Sequence, residues 1–256
     1  MSSDAAVSTA TRHLTPFSSR HTWDRNFYLA VTAAIWAGIL LGFGTDLLRH
    51  FATPHVAYPL IVHLHAVAFG GWLAVLSTQV WLIRRRRPDL HRRLGTAAIG
   101  LAALMIVLGP ATAIAMQRAQ LGTAESDPSF LAPQLLSILA FAGLAASAFV
   151  LRKSPSAHKR LILLATLAIS DAGFARWLGR DVHAVLGDGF VATLWTTYLG
   201  SNVLIASLGL YDLATRHRLH PAYVIGATWL VTTQLVATFL MRDPQWKGIA
   251  LMLIGH

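Results

Sequence analysis

Seven apolar stretches separated by short polar segments run along the chain, at 27–48, 59–83, 97–116, 130–151, 161–178, 190–210 and 221–241. A helix needs roughly 20 residues to cross about 30 Å of hydrocarbon, and these stretches are of that order. The fifth is the shortest and the most polar. Three open at or near a proline, Pro59, Pro133 and Pro221. A first-turn proline costs little, because the N–H it lacks would have no intrahelical partner there. The pattern predicts an all-α, integral membrane seven-helix bundle over 27–241, with a polar tail at 1–26 and a short tail at 242–256.

Composition agrees. Of 256 residues, 55% are apolar and 12% charged, about half the charge of an ordinary soluble domain. With no cysteine, disulfide frameworks, thiolate nucleophiles, Cys-bound zinc and iron–sulfur clusters are excluded. The N-terminal tail carries Arg12, Arg20 and Arg25 without an apolar run, so it lacks the core of a secretory signal.

Basic residues sort the connecting segments. With the N-terminus inside, fifteen of the 21 Lys and Arg residues fall in inner segments, chiefly Arg84–Arg87, Arg92, Arg93, Arg152, Lys153, Lys159, Arg160, Arg216 and Arg218. That asymmetry predicts a cytoplasmic N-terminus and an external C-terminus in a bacterial inner membrane. It also accounts for the net charge of +10: the excess meets anionic lipid. The Arg clusters only flank apolar spans and form no nucleic-acid-binding module.

Counting 1.5 Å per residue from this boundary gives depths. Asp171 lies about 16 Å in, where an ionised carboxylate costs at least about 2.5 kcal/mol. Arg176 lies about 24 Å up the same span, rotated about 140° away, which makes it a poor partner for Asp171. Other helices would have to supply the hydrogen bonds, and Asn202, Thr232 and Gln234 share that depth. These residues predict a polar layer capped by Arg176, His63 and His65. His63 and His65 point about 200° apart on a helix, so both cannot ligate one metal in a regular turn. His91 and His158 lie about 30 Å from His63, which excludes a single four-His metal site but permits two sites.

Trp81 and Trp195 fall near span ends, as belt tryptophans do. Gly38-x-x-x-Gly42 is a short signal for close helix approach, and His217 and His220 read as a solvated loop. No Walker loop, His-Glu-x-x-His helix, Gly-x-Ser-x-Gly elbow or dinucleotide turn occurs. The seventh span has no lysine for a retinal Schiff base, since Lys247 falls beyond it.

His63-Leu64-His65 with Trp72 and Gln79, then His91-Arg92-Arg93-Leu94-Gly95 and His158-Lys159-Arg160-Leu161, resembles a group of uncharacterised bacterial multi-pass proteins. The Leu-His-Arg-Arg-Leu-Gly phrase is also similar to loops of cytochrome b561-like and ferric-reductase-like proteins. The likeness covers about residues 58 to 180. It implies a helical bundle holding b-type haem between histidines. Those cytochromes place their ligands within the spans, whereas His91 and His158 fall at the loop boundary.

Three functions follow as expectations. The first is a redox membrane protein with haem b or another metal bound by His63, His65, His91 and His158, passing electrons between a quinone and a partner protein. The second is a proton-coupled small-solute transporter built on Asp171 and Arg176, although the spans show no paired Gly/Pro-broken helices. The third is a non-catalytic membrane subunit or assembly factor.

Overall fold

The computed structural model describes residues 17–18, 20–52, 58–123 and 126–255, without the side chains of 49–52. Of the tail expected at 1–26, residues 1–16, including Arg12, lie outside the described residues.

Among the described residues the chain is all helical: α1 Asp24–Ala52, α2 Leu60–Arg84, α3 Pro88–Gln120, α4 Leu131–Val150, α5 Pro155–Ala168, α6 Asp171–Leu186, α7 Phe190–Arg216, α8 Pro221–Arg242 and α9 Pro244–Leu253. Proline stands in the first turn of α3, α5, α8 and α9, where its fixed φ suits helix entry. Six helices are long and apolar enough to cross a membrane, or seven spans if α5 and α6 count as one bent by 54°. Only 22–39% of each apolar window of the six is buried, and Leu48, Val67, Val107, Ile225 and Phe239 are more than 60% exposed. Such an apolar exterior belongs in a lipid bilayer.

The fifth expected span is thus two helices, and its polarity explains why. Thr166 Oγ1 donates to the Ile162 carbonyl at 2.9 Å and Ser170 Oγ to the Thr166 carbonyl at 2.7 Å, a back-bonding pattern that bends helices. Ile169 N–H then bonds Thr166 and Ser170 N–H bonds Leu167, each three residues back. The chain turns, and α6 starts at Asp171.

Glycines hold α6 in place. A Cβ on Gly42 of α1 would stand 2.0 Å from the Gly173 carbonyl oxygen, so α1 and α6 touch backbone to backbone. The Phe174 ring fills the space between Gly38 of α1 and Gly200 of α7. The Gly38-x-x-x-Gly42 signal is therefore a helix–helix contact. The main core lies between α1, α2, α3, α4, α5, α7 and α8 around Phe141, Leu164, Leu167 and Leu208. There Trp72 Nε1 donates to Thr166 Oγ1 at 3.1 Å. Helix α9 closes the other end over α3 and α4, with Arg118 Nε donating to the Ile254 carbonyl and Trp246 Nε1 to the Ser129 carbonyl.

Gly42→Ala is expected to lower stability by about 1–3 kcal/mol through overpacking. Gly44→Ala, which meets open space, should leave the detergent-solubilised melting temperature nearly unchanged.

Candidate functional site

Asp171 opens α6 at the bend and is buried, and neither carboxylate oxygen has a hydrogen-bond partner. Ser201 of α7 is near enough to influence the carboxyl, but its hydroxyl donates to the Tyr198 carbonyl at 3.1 Å. The carboxyl lies on a narrow packing void lined also by Ser137, Leu136, Tyr198, Leu230, Thr233 and Gln234. No part of it is wide enough to seat a water. Both ends of the Gln234 amide are likewise buried without a partner. Buried polar groups are overwhelmingly hydrogen-bonded in folded proteins, so an acid and an amide left open around one void stand out.

The expected polar layer assembles in part. Gln234 faces Asp171 across the void. Thr232 is exposed and its neighbour Thr233 lines the void instead; Asn202 is half-buried and Ser201 is the α7 residue beside the acid. On α7 and α8 the residues beside Asp171 are thus one position away from Asn202 and Thr232. The expected hydrogen bonds to Asp171 from other helices are not made. Arg176 is engaged elsewhere: its Nε donates to Asp46 of α1 at 3.3 Å and its guanidinium covers the Phe43 ring.

The imidazoles divide into two sets. His63 is exposed, while His65 stacks on Phe69 with ring centroids 3.9 Å apart, so the two do not converge. His91 of α3 and His158 of α5 do, with centroids 6.3 Å apart and planes nearly perpendicular. His158 Nδ1 lies 2.8 Å from the Ala148 carbonyl, while His91 Nδ1 is buried without a partner. Among the described residues no three His, Asp or Glu side chains gather as a metal site.

A third cluster escaped sequence reasoning because its acids, Asp24 and Asp212, sit in segments read only for their cations. Arg160 is fully buried rather than a loop cation. Its Nε donates to Asp212 Oδ2 at 2.7 Å, its Nη2 to Oδ1, and its Nη1 to the Ser156 carbonyl at 2.6 Å. Asp24 accepts from Lys159 at 2.7 Å, from Arg216 at 2.9 and 3.0 Å, and from the Tyr211 hydroxyl at 2.7 Å. The Phe17 ring lies under the guanidiniums of Arg160, Arg216 and Arg218 and against His220. His220 is no solvated loop residue: its Nδ1 accepts from the Ala222 N–H, capping α8, and its Nε2 lies 3.2 Å from Ser156 Oγ. Accepting at Nδ1 requires the neutral ring. Burial, then the Arg160 guanidinium, pushes its pKa down to about 4.

Asp212→Asn, which leaves the Arg160 charge buried and unpaired, is expected to cost about 3–5 kcal/mol in thermal unfolding. His220 titrates lower in the folded state than its unfolded value of about 6.5, so its contribution is intact above that value and is lost as pH falls towards 4. His220→Asn, which keeps a capping acceptor and does not titrate, should flatten that part of the melting-temperature profile. Set beside known proteins, the chain matches no family model, no curated protein and no solved structure.

Proposed function

We propose that this chain is a proton-coupled transporter of a small solute centred on Asp171, lying in a bacterial inner membrane with its N-terminus inside. The observation that carries this reading is the Asp171 carboxyl, buried with both oxygens open on a void it shares with the unpaired Gln234 amide. An acid so placed tolerates charge only when a proton, a cation or a donor on a substrate arrives. A broken span adds support, since half-helix ends near mid-membrane are where transporters build sites. The α6 amino end presents its positive dipole to the carboxylate, and Tyr198, Thr233 and Ser137 line the same void. The void is too small for a solute, so loading requires α6 or α8 to move. Proton uptake by Asp171 and solute binding then compete for the same oxygens, which couples the two.

In proteoliposomes, pyranine should report solute-driven proton movement for a member of a panel of small amines, carboxylates and amino acids. Asp171→Asn is expected to abolish it without lowering the melting temperature. Absence of any Asp171-dependent proton movement would overturn the reading.

A second reading, electron transfer between a quinone and a partner protein through haem b or another metal, is supported by the convergence of His91 and His158. These two would hold the iron or copper, whose chemistry is one-electron exchange. An optical spectrum with metal analysis of purified protein decides it.

A further inference from the structure

At the arginine-rich end, a groove opens between the start of α1 and the end of α2 with room of about 570 Å³, lined by Arg25, Trp81, Arg84, Arg85 and Arg86. Four guanidinium-bearing residues and one indole surround it, with no acid among the described lining residues. The neighbouring acids are spoken for: Asp24 is bound to Lys159, Arg216 and Tyr211, and Asp89 pairs with Arg87.

The groove is built rather than frayed. Arg25 Nη2 donates to the Arg84 carbonyl at 2.8 Å, and Arg84 Nη1 donates to the Arg25 carbonyl and, at 3.2 Å, to Asn26 Oδ1. This reciprocal clasp fixes the walls. Arg85 lies over the Trp81 ring, 5.4 Å from its centroid, so the indole holds the guanidinium at the mouth. Arg86 takes a left-handed φ of 56°, with Arg86 N–H bonding the Ile83 carbonyl and Arg87 N–H the Leu82 carbonyl. That is a Schellman cap, whose left-handed position ordinarily takes glycine. A cation stands where the backbone favours the smallest residue, at a cost in strain.

We propose that this groove binds the phosphodiester headgroup of an anionic phospholipid. Guanidiniums match phosphate oxygens in pairs. A lipid is favoured as the source because Trp81, itself 52% exposed, and exposed Ile83 and Leu29 carry the groove directly onto the apolar flank of α1 and α2, where acyl chains would lie. Basic pockets between helices at the membrane boundary take such headgroups.

The test is native mass spectrometry of the full chain in detergent, titrated with phosphatidylglycerol and phosphatidylcholine. Retention of phosphatidylglycerol over phosphatidylcholine is expected, and Arg85→Gln and Arg86→Gln should each weaken it about five-fold, the equivalent of about 1 kcal/mol per arginine. A double change of Arg92→Gln and Arg93→Gln, on α3 outside the groove, should leave it unchanged. Arg86→Gly should raise the melting temperature while weakening the lipid, which separates binding from folding. Equal retention of both lipids, or loss in the Arg92/Arg93 variant equal to that in the groove variants, would overturn the proposal. So would displacement by equimolar inorganic phosphate, which would make free phosphate the ligand.

Discussion

Inside a bilayer every backbone N–H and C=O must be satisfied by the protein itself, and a spanning helix that stops and restarts has to answer for the groups it frees. The turn between α5 and α6 does this with tighter three-residue bonds at Ile169 and Ser170 and with the hydroxyls of Thr166 and Ser170 folded onto their own helix. Gly42 against Gly173, and Phe174 wedged between Gly38 and Gly200, then press α6 between α1 and α7. The break is tolerated because it is enclosed. What it delivers is a carboxyl at the first position of a new helix, in the middle of the bundle.

Two buried charge problems are solved in opposite ways. Arg160 and Asp212 satisfy one another in a forked pair with a backbone carbonyl completing the set, and such a pair ties α5 to α7. Asp171 has no such set. A satisfied pair resists change because separating it strands a charge, whereas an open acid accepts whichever partner comes. That contrast separates structural ionic groups from the candidate working group.

The spans were legible in the chain because their apolar windows are long, and six came through as continuous helices. The fifth stretch was visible as weak and polar, but the bend was not, since Ser170-Asp171-Ala172-Gly173 carries no proline and its meaning lies in where hydroxyls turn back. Asp171 and Gln234 were named together from the sequence, and both line the same void. Thr233 in place of Thr232, and Ser201 beside Asn202, depended on rotation, which a count along the chain cannot supply. Asp24 and Asp212 were hidden among cations, and only the meeting of α1, α5 and α7 shows that they organise them. His91 and His158, about 67 residues apart in sequence, were paired by reasoning about the boundary, and the fold brings them together.

Phe17 stands ahead of the first helix, yet its ring rests on the guanidinium of Arg160, a side chain wholly shielded from water. The Phe17 ring is therefore part of the wall around the Arg160–Asp212 pair. A chain cut just past Phe17 keeps every apolar helix and loses one ring from the casing of that pair, so crossing the membrane and sealing the ion pair are tasks of separate segments.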